Sequence, residues 1–357
     1  MATSTKAVLA LALSEYKQLL DKYASLLQLS NAPEEEEAQR RRRIVAVLQL
    51  KSEPEWEMML NMDDHTFVHR FHVTKPQFEY LAAKLRDNGL EKQHSHGLPA
   101  VPAMKKVLMF LWFMANQDSF RQISQRFDVS QSSAHRVVLQ VLNIMSTIGT
   151  AFVSWPNADE KAASAAAFRR LCGIKGVIGA IDGCHIRIQR PPRRGGDYMN
   201  HKSFYSVLLQ GIVDEKGRFT DIFAGPPGKV CDARMLRASD FYTTWQEKMG
   251  GHSLLGDSAY TGHAFPFVIS PKCEEAPLTE ADEWQNARIH CGRTVVEQAF
   301  GRMKCKWRRL RDLQNTRMDA AVMIILAACF LHNMCLGVTE ICQEHPGGCP
   351  RLADENA

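Results

Sequence analysis

Apolar positions recur at helical spacing through the first part of the chain. After Trp155 and Pro156 they give way to continuous apolar runs of strand length. Residues 6–29 set Leu9, Leu13, Tyr16, Leu20, Tyr23 and Leu27 along one face, which predicts an amphipathic helix. Glu36 and Glu37 precede Arg40 and Arg41 by four positions, the order that supports an exposed helix, although the run Arg40–Arg43 would also suit nuclear import or a DNA contact. Thr74 as N-cap, with Pro76 in the first turn, opens a helix that turns Phe78, Leu81 and Leu85 to one side. A polar stretch (94–102) separates it from three helices between Met104 and Ile144. The first, 105–116, is apolar almost throughout; the second starts at Asp118 or Ser119 and turns Ile123 and Phe127 inward. The third, 131–144, follows the N-cap Ser130 and packs Ala134, Val137, Val138 and Val141 inward. Two helices across the short turn 128–130, the second presenting Gln131, Ser132, His135 and Arg136 outward, make a helix-turn-helix pattern whose outward residues can reach bases and phosphates. A plain helical bundle fits the same pattern.

Beyond Pro156, residues 176–189 predict a buried strand, and 204–213 with 218–224 predict a hairpin about the turn 214–217. A Gly/Pro loop (225–228) leads to a helix capped by Asp232. Two more strands are expected at 253–256, running into Asp257, and at 265–270; helices follow at 287–310 and 318–336. That order predicts an α/β fold with a mixed sheet. The expected organisation is a charged helical region over 1–60, a helical helix-turn-helix-like region over 61–155, an α/β catalytic domain over 156–337 and a tail over 338–357.

The 357 residues suffice for one large domain or two moderate ones, and a composition of 45% hydrophobic and 23% charged residues is that of an ordinary globular protein. The apolar stretch 7–13 is too short for a leader and meets Glu15 and Lys17, while Ala320–Leu331 is about half of what a bilayer requires. A soluble, intracellular protein without a membrane partner is expected. Ten cysteines scattered along the chain read as reduced thiols, and Cys335, Cys342, His345 and Cys349 match no common zinc spacing. The net charge of +5 conceals an uneven distribution. Residues 187–202 hold Arg187, Arg190, Arg193, Arg194 and Lys202 against Asp197. Residues 288–312 hold eight basic residues against Glu297 and Asp312, so the rest of the chain is mildly acidic. Two basic islands on an acidic body suit a polyanion such as DNA.

Three acids stand out within this charge pattern. Asp182 interrupts the apolar run VIGAIDG and Asp257 ends SLLGD, settings in which a carboxylate needs a cation or hydrogen bonds. Glu297 shares a helix face with Arg293. Singly, each has an ordinary role as a loop cap or salt-bridge partner. Together they form an oxygen-only set suited to Mg²⁺ or Mn²⁺, and two such ions can activate a water or 3′-hydroxyl and stabilise the leaving oxygen of a phosphodiester. The basic islands flank these acids, with Arg293, Arg302, Lys304, Lys306, Arg308 and Arg309 as candidate phosphate clamps. A metal-free hydrolase using paired carboxylates is a rival reading that the basic islands argue against. A DNA- or chromatin-binding protein that no longer cuts is another, disfavoured because a carboxylate trio without metal only repels itself.

The stretches GAIDGCHI, YSVLLQGIVDEKGRFTDI, PGKVCDARML, LLGDSAY, RTVVEQAFGRMKCKWRRL and AACFLHNMC, preceded by FHVTKPQFEYL and FRQISQRFDVSQSSAHRVV, resemble PIF/Harbinger-type DDE transposases and the nucleases derived from them. The resemblance covers roughly residues 65–337. It implies an RNase H-like fold, Asp182, Asp257 and Glu297 as catalytic metal ligands, supporting roles for His185 and Asp232, and metal-dependent cleavage, with strand transfer as an extension. It also implies a Myb/SANT-like protein partner, a homo-oligomer, and residence in the nucleus with the cytoplasm as second compartment. Lys229 and Cys231 depart from the family pattern, where a small polar residue and a histidine or other polar residue are usual.

Overall fold

The computed structural model describes residues 55–91, 100–272, 278–314 and 317–339. The expected helix over 6–29, the segment with Arg40–Arg43 and the tail residues Cys342, His345 and Cys349 lie outside them. Two compact units divide the chain, Met1–Met58 and Met59–Ala357; of the first, only the opening of helix α1 (Glu55–Leu60) is described.

The second unit begins with helices α2 (Asp64–Phe71) and α3 (Lys75–Asp87). Thr74 and Gln77 form a reciprocal capping box at the start of α3. Helix α4 (Ala103–Ala115) is apolar nearly all round because α2, α3 and the later α6 enclose it. Helices α5 (Phe120–Arg126) and α6 (Gln131–Thr147) start at Ser119 and Ser130, whose side chains accept from the third residue of each helix. Ala134, Val137, Val138 and Val141 are buried, and Gln131, Ser132, His135 and Arg136 are exposed.

Helix α7 (Ala158–Cys172) was not among the expected elements. Asn157 and Glu160 cap its start, and Gly173 ends it in the left-handed region. The sheet follows, with strands β1 (Val177–Arg187), β2 (Ser206–Val213), β3 (Phe219–Pro227), β4 (Ser253–Leu255) and β5 (Val268–Ile269) in the order β3-β2-β1-β4-β5. Pairs β1–β2 and β2–β3 are antiparallel; β4 and β5 join parallel, as in an RNase H-like mixed sheet. Strand β3 runs through the expected Gly/Pro loop to Pro227, which an edge strand tolerates because its outer side needs no donor.

Helices α8 (Asp232–Arg237) and α9 (Asp240–Met249) cover one face, where Leu236 and Phe241 pack with Ile181 and Ile212. The residue before Ile212, Gly211, faces the other side and the ring of Phe300 on helix α10 (Glu280–Lys306). Helix α11 (Met318–Thr339) packs against both β3 and α6, joining sheet to helical region. It is long and apolar enough to cross a membrane, and longer than its apolar core suggested; most of it is buried within the protein.

Near the end of α11, His332 stands against the β2–β3 turn with its Nε2 2.9 Å from the Gly217 carbonyl. Burial lowers its pKa to about 4; the Gly217 carbonyl opposes that shift, and nearby Arg302 and Lys306 add to it. A depressed folded-state pKa means that the unfolded chain binds the proton first. The contribution of neutral His332 is therefore complete above pH 6.5 and is lost as pH falls towards 4. It amounts to about 3 kcal/mol at most. Denaturation of wild type and His332→Gln at pH 7 and pH 4.5 should show a smaller acid loss in the variant; parallel curves would contradict this.

Candidate metal centre

The sheet is uneven beside β1. Strand β4 pairs only as far as Ala180↔Leu255, whereas β1 continues to Arg187. Among the described residues, no strand pairs with β1 on that flank past Ala180, and the chain leaving β4 turns out beside Asp182. Asp257, two residues beyond β4, accepts from the Ala259 N–H at 2.9 Å and so starts a single 3-10 turn, Ser258–Tyr260. Its second oxygen is left for other partners.

Asp232 departs from its expected role as a helix cap. Cys231 holds the N-cap position without a side-chain hydrogen bond, and Asp232 is the first helical residue of α8. Its carboxylate lies over Gly183, where a Cβ would collide with Oδ1. Glycine after Asp182 therefore lets the acid of α8 approach β1. Asp182, Asp232 and Asp257 each bring one oxygen within 4.8 Å of the others.

Glu297 is not a member of this group. Its exposed carboxylate lies 3.6 Å from Arg293 Nη2, which stands 3.3 Å from Asp182 Oδ2. Arg293 therefore bridges the expected third ligand to the first, and its buried Nε has no hydrogen-bond partner among the described residues.

Burial dominates the electrostatics. It raises Asp182 to about 7, partly offset by Arg293 and the Gly183 N–H, with Asp257 and Asp232 pushing the same way as burial. Asp232 is raised to about 6 by burial and by Asp257. A half-buried carboxylate group with one arginine for compensation favours a further cation. The donors are all oxygens, which suits a hard divalent ion over zinc.

The supporting residues are placed more variously. His185 lies one strand pair further along β1, with Nδ1 2.9 Å from Ser206 Oγ. Burial first, then His201, lowers its pKa to about 4, so the ring is neutral. Arg187, Arg190, Arg193, Arg194 and Lys202 are exposed, Arg187 stacking 4.4 Å over Phe204. Arg302 and Arg308 are also exposed, and Lys306 is partly so. Besides Arg293, two further expected clamps face inward. Arg309 is buried and donates to the carbonyls of Phe113 and Asp118, tying the end of α10 to α4; Lys304 donates to the His185 carbonyl at 2.9 Å. Seven cysteines among the described residues are thiols, four of them buried.

Residues 181–333 match the DDE superfamily endonuclease family, and residues 51–147 match a domain of unknown function. The chain is 26% identical over 302 residues to the Arabidopsis thaliana protein named "Antagonist of Like Heterochromatin Protein 1", covering 79% of this chain and 76% of that one. It is 27% identical over 266 residues to the Rattus norvegicus protein named "Putative nuclease HARBI1", covering 73% and 74%. A third relative, the Arabidopsis "Protein ALP1-like", is 24% identical over 302 residues, covering 78% and 72%. No solved structure matches the chain.

Proposed function

We propose that the chain is a Harbinger-derived DDE endonuclease that cleaves DNA phosphodiester bonds with divalent-metal assistance at the site around Asp182. The observation that carries the reading is the convergence of Asp182, Asp232 and Asp257 at the open flank of β1. Bound there, Mg²⁺ or Mn²⁺ supplies Lewis-acid activation and neutralises charge on the scissile phosphate.

The protein's own groups do the rest. Asp182 within β1 and Asp257 just past the end of β4 would hold the cation, and Asp232 would close the group from α8. Arg293 keeps Asp182 and Glu297 within reach of one another, and Glu297 is the fourth acid, available to a cation from the exposed side. Exposed arginines of the 187–202 segment, with Arg302 and Arg308, bind phosphates on either side, and the exposed face of α6 (Gln131, Ser132, His135, Arg136) contacts duplex DNA. A nuclear protein with a DNA-binding partner and a homo-oligomeric active form complete the reading.

Incubation of supercoiled DNA with the full chain tests it. Mg²⁺ or Mn²⁺ should give nicked or linear product, and EDTA should stop the reaction; cutting that survives EDTA would point to metal-free carboxylate chemistry. The relative named for a heterochromatin antagonist favours a second reading, a chromatin-binding protein without cleavage. DNA binding with no metal-dependent product would support it.

A further inference from the structure

The acid cluster has a neighbour that the metal reading leaves unused. Tyr260 closes the 3-10 turn begun by Asp257, with its ring in the core shared by Ile181, Ile212, Leu236 and Phe265. The ring is held from two sides. Phe265 meets it edge-on at 6.0 Å, and a Cβ on Gly256 would come within 2.8 Å of its Cδ2, so glycine before Asp257 makes room for it. A phenylalanine would fill this place. The residue is only 1% exposed, yet its hydroxyl has no hydrogen-bond partner among the described residues.

A buried phenol without a partner is unfavourable, and a native core that keeps one usually has a use for it. The charges acting on this hydroxyl are Asp232, Asp182 and Asp257, in that order, with Arg293 opposing them. They are the candidate metal ligands and the guanidinium that pairs with Asp182. Helix α8, which carries Asp232, packs against the turn that Asp257 starts and Tyr260 closes, and a phenol at neutral pH is a donor. The groups around it are acceptors.

We infer that Tyr260 is a positioning residue of the metal centre: its unpaired hydroxyl is the donor that a carboxylate oxygen of the cluster takes up when a cation draws the acids together, so that the remaining oxygens face the cation. The inference rests on the metal-binding reading of that cluster. It gives the turn after Asp257 two functions: Asp257 binds, and Tyr260, three residues on, orients. Ligand-orienting hydrogen bonds of this kind change metal affinity by about 10-fold to 100-fold when removed.

Tyr260→Phe tests it, because the ring and its packing are kept. Mn²⁺ binding to the DNA-free full chain is measured by calorimetry for wild type, Tyr260→Phe and Asp182→Asn, together with thermal denaturation of each without metal. Tyr260→Phe should bind Mn²⁺ about 10-fold more weakly than wild type while its metal-free midpoint is unchanged or higher. An affinity within twofold of wild type overturns the inference, as does a metal-free midpoint several degrees lower, which would mark the hydroxyl as structural. If wild type binds no Mn²⁺, or Asp182→Asn binds it equally well, the metal-binding reading fails and takes the inference with it.

Discussion

Asp182→Asn should reduce Mg²⁺-dependent DNA cleavage by at least about 10³-fold, since it removes charge at the point where the other groups of the site converge. Asp182 is within reach of Asp232 and Asp257 and meets Arg293 at 3.3 Å. Asparagine keeps the size of the side chain and an oxygen that can accept from the Gly183 N–H, as Oδ1 of Asp182 does at 2.8 Å. It removes the negative charge that would hold a cation. Burial has already raised this carboxyl to about 7, so a neutral amide should not destabilise the metal-free fold, and lost cleavage would not reflect unfolding. DNA binding should persist, because the exposed arginines are untouched. A gel-shift titration beside the cleavage assay reads both properties. Cleavage within tenfold of wild type would remove Asp182 from the chemistry; loss of binding and cleavage together would point to a structural role.

Asp182, within β1, and Asp257, just past β4, are legible in the sequence for a simple reason. Each interrupts an apolar run, and burial of a lone carboxylate is costly enough to require explanation. Asp232 was harder to place. An aspartate before a helix is read as a cap, because capping is what that residue type commonly does there. Whether its carboxylate turns back to the helix or across to β1 depends on Gly183, about fifty positions earlier, and on which strand lies opposite. Glu297 was found by its order in the chain, but the side chain that links it to Asp182 is Arg293, and no local pattern shows that bridge. Arg309 illustrates the converse. Charge counting groups it with its exposed neighbour Arg308, although tertiary contacts bury it between α4 and α10.

The fold was legible where local rules act alone. Caps at Thr74, Ser119 and Ser130 begin their helices, and the largely apolar runs around Asp182 and after Tyr205 form β1 and β2, which are covered on both faces. Helix α7 was overlooked because alanine gives weak apolar periodicity; the capping pair Asn157 and Glu160 with Gly173 at the far end was the available signal. Pro226 and Pro227 suggested a loop, and only the edge position of β3 makes them acceptable in a strand. The sequence of helix α11 is apolar, yet nothing local announces that its buried polar pair, His332 and Asn333, holds the hairpin.

Asn333→Leu should therefore destabilise the protein by about 4 kcal/mol, far more than an ordinary polar-to-apolar exchange of similar volume. Asn333 is buried, and its amide makes three hydrogen bonds. Oδ1 accepts from the Phe219 N–H at 2.8 Å, while Nδ2 donates to the carbonyls of Phe219 at 2.7 Å and Phe152 at 2.9 Å. The location explains the need. The register of β2 against β3 shifts between Ile212 and Val213, and β3 is the sheet's edge, so Phe219 presents its backbone groups away from β2. The Asn333 amide takes the place of one residue of a further strand there, and its bond to Phe152 ties the same point to the segment after α6. Leucine would leave one donor and two acceptors buried without partners, at roughly 1–3 kcal/mol each before relaxation. For a unit of this size the melting midpoint should fall by about 10 °C. Asn333→Asp, which retains an acceptor for the Phe219 N–H but cannot donate, should also be destabilised because a buried charge replaces the two donated bonds. Chemical denaturation of the metal-free full chain measures both variants. A loss below about 1 kcal/mol for Asn333→Leu would mean that solvent or backbone movement satisfies the strand edge without this side chain.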